Sequence, residues 1–204
     1  MKLTAIATAL VLGAAAANAA NSSGADITTP ERKKALHYIE ETNRTLYDAV
    51  KNLSDAQWTF KPAPGRWSIA EVVEHMALIQ DVVLGVLSKL PTAPAPPEDR
   101  DVAKLDAELI AKVTGRTEKF EAPPAARPSG RRTPAAAPDH FKESNSKIRA
   151  ALETTHDLRA HAIPHPILPG PWDGYQWIIG VVAHTSRHTQ QILEVKADGG
   201  FPTH

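Results

Sequence analysis

Two histidines in the last apolar segment of the chain have the spacing of a metal-binding pair. Residues 174–196 read GYQWIIGVVAHTSRHTQQILEVK, in which His184 and His188 are four residues apart. In a helix this spacing puts both rings on one face, one turn apart. Such a pair can supply two ligands to a divalent cation, and a third ligand must then come from another element. The chain has no cysteine, so a metal site must use histidine, carboxylate or water.

His75 is the candidate for the third ligand. In the segment SIAEVVEHMA, Ser68 and Glu71 form an S-x-x-E capping box, which predicts the start of a helix. His75 follows this box by two turns and borders the apolar face. Three histidine ligands leave a coordination position for water or substrate, which is typical of catalytic metal sites. The same spacings also suit histidines that hydrogen-bond within a helical core, and the pattern alone does not decide between the two.

Glu71 is the one weak candidate for a catalytic group. It lies one turn before His75 on the same face, where a carboxylate can accept from a ligand or carry a proton. The capping box alone also explains a glutamate here. Six other histidines have no compelling context, and of these only His165, in the loop before the last helix, is kept as a further candidate.

The candidate ligands must be positioned by helices. Apolar residues three and four apart, with capping signals, predict main helices over about 30–53, 68–90, 139–158 and 173–197. Thr29, Ser68 and Asp173 are the predicted N-caps. Nine of the 17 prolines lie between residues 91 and 138, so this segment cannot be one long helix, although 101–120 has a short helical pattern.

These elements describe an all-α fold. No strand pattern or internal repeat is found. The prediction is a four-helix bundle with a long Pro-rich crossover between helices 2 and 3. The short first and third connections favour antiparallel pairing of the helices that they join, and the long crossover allows the middle two helices to run parallel.

The N-terminal sequence predicts export. MKLTAIATALVLGAAAANA has one lysine, an apolar run and an A-x-A pattern, typical of a signal peptide over 1–19 with cleavage after Ala19. A disordered leader over 20–28, the bundle domain over 29–198 and a C-terminal tail over 199–204 would follow. We therefore expect a secreted or periplasmic protein without stable membrane insertion after signal cleavage. The 23 basic and 23 acidic residues are balanced, and no basic stripe indicates nucleic-acid binding.

The chain resembles the DinB-like family of four-helix bundles (the DinB/YfiT type) over about residues 30–197. Three stretches carry the resemblance: GRWSIAEVVEHM, HPILPGPWDGYQW and AHTSRHTQQI. The family pattern has one metal-ligand histidine after W-S-I and two more in H-x-x-x-H-x-x-Q-I. These positions correspond to His75, His184 and His188, and Gln191 is the matching glutamine.

The resemblance implies a metal in a pocket near one end of the bundle, and association into homodimers. Family members include enzymes that transfer groups with low-molecular-weight thiols, and metal-dependent hydrolases. By ligand softness the ion is zinc or nickel. We expect a metal-dependent enzyme that activates water or a thiol for hydrolysis or group transfer on a small molecule. The sequence does not identify that molecule. The alternative is a non-enzymatic, stress-related bundle protein that binds a metal or another ligand. Export argues against the thiol chemistry, because such thiols are scarce outside the cytoplasm.

Overall fold

The computed structural model describes residues 25–130, 136–166 and 168–203, and across this part the chain is mainly helical. The helices are α1 (Thr29–Val50), α2 (Asp55–Thr59), α3 (Ile69–Leu87), α4 (Val102–Thr114), α5 (Ala136–Thr154) and α6 (Gly174–Lys196). Two short strands, β1 (Ala162–Pro164) and β2 (Pro171–Asp173), pair antiparallel. Single 3-10 turns lie at Leu90–Thr92 and Pro124–Ala126.

The two helices that carry the candidate ligands begin at the predicted residues. The Ser68 hydroxyl accepts from the Glu71 amide, and the Glu71 carboxylate accepts from the Ser68 amide, which starts α3. Asp173 starts α6 by the same reciprocal arrangement with Gln176. Each cap satisfies amide groups that have no partner inside the helix, and so fixes where the helix begins.

The first two helices differ from the prediction. The N-cap of α1 is Thr28 and not Thr29, because the Thr28 hydroxyl accepts from the Glu31 amide while the Glu31 carboxylate accepts from the Thr28 amide. The short helix α2 was not predicted. Ser54 and Gln57 form its capping box, an S-x-x-Q signal that is visible in the sequence.

Four helix ends also differ, and α1 and α3 end three residues before the predicted 53 and 90, at Val50 and Leu87. α5 runs from Ala136 to Thr154 and not from 139 to 158, since the Arg32 guanidinium donates to the carbonyls of Leu152 and Thr155 and satisfies the end of the helix. α4 ends at Thr114, before the predicted residue 120, with Gly115 as its C-cap. The unpredicted hairpin has strands of three residues, which are too short to show an alternating pattern.

The four long helices α1, α3, α5 and α6 form the bundle. α3 packs most closely on α5 and also on α6, while α1 packs on α6 and α5. Asp81 of α3 bonds Ser144 of α5, and farther along both helices Leu87 and Ala151 line one small cavity, so α3 and α5 run parallel. The sequence allowed this parallel arrangement. However, the pairs joined by the short connections, α1 with α3 and α5 with α6, are not the ones that pack most closely.

α1 and α6 also run parallel. The Tyr175 hydroxyl, at the start of α6, donates to the Glu31 carbonyl, at the start of α1. At the other ends, the Lys196 ammonium donates to the Ala49 carbonyl. The bundle therefore consists of two parallel pairs, and sequence neighbours lie across it from each other.

A buried arginine ties the crossover to the bundle. The Arg159 guanidinium, 5% exposed, lies 2.7 Å from Glu31 and from Asp106 and 3.0 Å from Asp173. Arg100, in the crossover, lies 3.2 Å from the same Asp173 carboxylate. The desolvation cost of burying these charges is offset only because each finds opposite charges. The network joins α1, α4, the loop after α5 and the start of α6.

Both ends of the described chain pack on the bundle. The predicted signal peptide, 1–19, lies outside the described residues, as do residues 20–24 of the predicted leader. In the last part of that leader Ile27 is buried, and the Ala25 carbonyl accepts from the Arg159 amide. In the C-terminal tail, Phe201 contacts Phe60 edge-on at 5.6 Å between ring centroids. None of the described helices is long and apolar enough to cross a bilayer.

Candidate metal centre

The structure brings His75, His184 and His188 together. His75 lies in the second turn of α3, and the other two lie one turn apart on α6. The Nε2 atom of His184 is 3.3 Å from that of His75 and 3.1 Å from that of His188. One ring nitrogen from each residue lies within 4.8 Å of the other two. His75 is 3% exposed and His188 9%, while His184 is partly exposed.

Hydrogen bonds fix which ring nitrogens face one another. The Nδ1 atom of His75 lies 2.7 Å from the Ala126 carbonyl oxygen, which can only accept, so Nδ1 carries the proton. The Nδ1 atom of His188 lies 2.8 Å from the Gln191 side-chain oxygen and donates in the same way. In both neutral rings the Nε2 lone pair is therefore exposed to the cluster. His184 Nε2 can donate to at most one of these lone pairs, so the other lone pair faces the cluster without a proton from His184.

Burial makes it unfavourable for these imidazoles to bind a further proton. Burial lowers the pKa of His188 to about 3 and lowers the pKa of His184 well below the ordinary value, and in both cases neighbouring histidines lower it further. Burial also lowers the pKa of His75, although its bond to Ala126 opposes the shift. Neutral rings with converging lone pairs are the protonation state that a metal ion requires.

The spacing of the nitrogens suits a divalent metal. Two imidazole nitrogens bound to one tetrahedral zinc at the usual length lie about 3.3 Å apart. Two of the three separations, 3.1 and 3.3 Å, match this value, and all three lie within 4.8 Å. The residues present therefore fit a three-histidine site, and three ligands leave a coordination position for water or substrate. Trp67 covers one side, with its ring centroid 4.8 Å from that of His75.

Glu71 and Arg187 lie beside the cluster but have other partners. The Glu71 carboxylate accepts from the Ser68 amide and from the Lys61 ammonium, which lies 2.7 Å away. These contacts favour the capping explanation, and the catalytic role of Glu71 stays a prediction. Arg187 donates to the carbonyls of Val113 and Glu118 and so holds the end of α4 against α6.

Among the described residues, the other histidines lie outside the three-residue cluster. His165, the further candidate, packs against both Trp172 and Trp177, with ring centroids at 4.1 and 5.0 Å, and the two tryptophan rings also contact each other at 5.3 Å. Gly180 allows this arrangement, because a Cβ at that position would lie 2.8 Å from the Trp172 ring. Four of the remaining histidines, at positions 37, 140, 156 and 161, contact nearby groups. His204 lies outside the described residues.

Sequence reasoning missed Ala126. Its contribution is a backbone carbonyl, which every residue carries, so no side-chain pattern could have identified it. Its position follows from a 3-10 turn in the crossover, about 50 residues along the chain from His75. Gln191 was identified by resemblance, and its oxygen contacts His188 as a group that orients a ligand would.

The family of the chain follows from comparison with known sequences. Residues 38–192 match the DinB superfamily. The protein YuaE of Bacillus subtilis (strain 168), which is uncharacterized, is 24% identical over 173 residues, covering 79% of this chain and 96% of YuaE.

Solved structures show the same fold. YfiT from Bacillus subtilis, described as a probable metal-dependent hydrolase with an unusual four-helix bundle topology, superposes with a TM-score of 0.52 at 17% identity, over 86% of this chain and 91% of YfiT. A DinB-family protein from Exiguobacterium sibiricum 255-15 gives 0.51 at 16% identity, over 87% and 97%. With three-quarters of its length matched by the family, the chain belongs to the DinB superfamily.

Proposed function

We propose that this protein is a metal-dependent enzyme in which His75, His184 and His188 hold one divalent ion, zinc or nickel. The observation that carries the proposal is the approach of three neutral imidazoles to within 4.8 Å. An ion held in this way acts as a Lewis acid and makes water or a thiol nucleophilic near neutral pH. The reaction would be hydrolysis or group transfer on a small molecule. The description of YfiT as a metal-dependent hydrolase supports this class.

The chain's own residues would tune such a site. Ala126 and Gln191 hold two of the rings so that Nε2 faces inward. Trp67 limits the access of water on the side of His75. All three ligands are neutral, so the full charge of the ion would remain to stabilise an anionic nucleophile.

A non-enzymatic metal-binding role is the second candidate. It is favoured by the depth of the site, because His75 is 3% exposed and His188 9%. We also propose export, which rests on the N-terminal signal pattern. Mass spectrometry of the mature protein should then find Ala20 at the N-terminus, and an intact Met1 would contradict export.

Metal content of protein purified without a histidine tag tests the proposal. We expect about one divalent ion per chain, because three ligands form one site. His75→Ala, His184→Ala and His188→Ala should each lose the stoichiometric ion. His37→Ala is the matched control, since the His37 side chain is 69% exposed on α1, and it should keep the ion.

Activity separates the two candidates. Metal-loaded protein is assayed on ester, amide and thiol-acceptor substrates beside His75→Ala. Turnover by the wild type alone supports the enzyme. If the wild type binds metal but is as inactive as His75→Ala on every substrate, the binding role is supported. If the wild type binds no stoichiometric ion, both candidates are contradicted.

A further inference from the structure

A proline-rich part of the crossover covers the start of α3. Residues 123–130, here called the strap, read PPAARPSG. Pro123, Pro124 and Pro128 restrict φ, so the strap has little backbone entropy to lose on folding. The Ala126 amide donates to the Pro123 carbonyl and closes a 3-10 turn. This turn buries Ala126 completely.

The strap contacts α3 at successive positions. The Ala126 carbonyl accepts from His75 Nδ1 at 2.7 Å. Three residues later, the Ser129 hydroxyl donates to the Glu74 carboxylate at 2.8 Å. Gly130 has φ +64°, and a Cβ there would lie 3.2 Å from a Glu71 carboxylate oxygen. The strap therefore runs antiparallel to the first turns of α3, close against the helix.

Of these contacts, the one to His75 reaches the metal centre. The one to Glu74 joins the neighbouring part of the strap to α3. Arg127, between them, bonds to carbonyls of its own segment, at Ala122 and Pro124. The Ser129 hydroxyl is thus a side-chain donor from the strap to α3. Glu74 is 3% exposed and neighbours His75 in the helix, so its bond to Ser129 places the strap relative to that ring.

We propose that Ser129 and Glu74 are positioning residues of the metal centre, which keep the Ala126 carbonyl on His75 Nδ1 and so keep His75 Nε2 available as a ligand. This inference rests on the proposed function, since it assumes that His75 binds an ion. Loss of a direct outer partner of a metal ligand typically weakens metal affinity 10- to 100-fold. Because Ser129 acts through Ala126, we expect about a 3- to 10-fold increase in the Kd for zinc in Ser129→Ala.

The test compares three variants of the full chain. Ser129→Ala removes the hydroxyl, and Ser129→Thr retains it. Ser88→Ala is the matched control, because the Ser88 hydroxyl is also exposed and bonds a carbonyl, that of Gly85, at the far end of α3. Zinc Kd is measured by competition with a chromophoric chelator, and the His75 tautomer in the metal-free protein by NMR of the ring nitrogens. Thermal melts of the metal-free variants check folding.

We expect Ser129→Ala to raise the Kd and to show a mixture of His75 tautomers, while Ser129→Thr and Ser88→Ala resemble the wild type. A Kd and a tautomer equal to those of Ser88→Ala would overturn the proposal. A higher Kd with an unchanged His75 tautomer would also overturn it, since the loss of zinc affinity would then not act through His75. If the wild type binds no zinc, the proposed function fails, but the tautomer still decides the role of the strap.

Discussion

The three candidate ligands differ in what supports each ring. His75 and His188 donate from Nδ1 to Ala126 and Gln191, respectively. The His184 Nδ1 atom is buried and has no hydrogen-bond partner among the described residues. In the metal-free protein the lone pair of His75 or His188 can accept a proton held on His184 Nε2, whereas an ion bound at Nε2 would require that proton on Nδ1. The middle histidine of the cluster thus depends most on the metal.

Outside the cluster, His165 should make the metal-free protein sensitive to acid. Burial lowers the pKa of His165 to about 4, while histidine in an unfolded chain titrates near 6.5. The stability contributed by the neutral ring is thus fully present above pH 6.5 and is lost as the pH falls towards 4. His165→Phe keeps an aromatic ring against Trp172 and Trp177 but cannot titrate.

Relative to His165→Phe, the wild type should lose about 1 kcal/mol of unfolding free energy between pH 7 and pH 4, a figure reduced for the partial exposure of the ring. Urea unfolding of both metal-free proteins across this range measures the difference. The cluster histidines are the same in both chains and cancel. A difference that does not change with pH would contradict a buried neutral His165.

At the scale of elements, the start of α6 depends on one residue with two roles. Asp173 is fully buried, caps α6 through the Gln176 amide, and pairs with Arg159 and Arg100. The network around it also raises the pKa of Tyr175 to about 12, through burial first and then the nearby carboxylates. Asp173 therefore fixes the start of the helix that carries two of the ligand candidates.

Two substitutions separate the roles of Asp173. Asp173→Asn retains a capping oxygen but removes the charge, and should lower the unfolding free energy by about 2 kcal/mol, because Arg159 keeps its other partners. Asp173→Ala also removes the cap and should cost about 1 kcal/mol more. Asp101→Ala, a cap of α4 at the surface, is the control at about 1 kcal/mol. Equal effects of Asn and Ala in urea unfolding would show that the cap contributes nothing.

At the scale of the whole molecule, the metal centre joins helices from both parallel pairs. His75 belongs to α3, and the other two ligands belong to α6. The ligands come from parts of the chain more than 100 residues apart. An ion bound there would therefore connect the two pairs, so that metal binding and global stability are linked.

Removing the ion should lower the melting temperature. At a free metal concentration 100 times the Kd, binding stabilises the fold by about 2.7 kcal/mol, which corresponds to about 5–10 °C for a chain of this size. Differential scanning fluorimetry with and without a chelator measures the shift. His188→Ala should not respond to the chelator. An equal response in the wild type and this variant would mean that the stabilising ion binds elsewhere.

The helix caps, the histidine spacing and the crossover could all be predicted from the sequence. The four-residue spacing of His184 and His188 and the caps at Ser68 and Asp173 follow from helix geometry, which acts over neighbouring residues. Proline density located the crossover, because proline cannot continue a helix. These signals, with the resemblance, sufficed to predict the bundle and the three histidines that the structure brings together.

The contacts between residues far apart in the chain could be found only from the three-dimensional structure. Ala126 contributes a backbone carbonyl that no residue type reveals, and Arg159 finds its carboxylates on three separate elements. The order of helices in the bundle also differs from the pairs joined by short connections. Helix periodicity shows which face is buried but not which helix covers it, because that choice depends on packing the whole molecule at once.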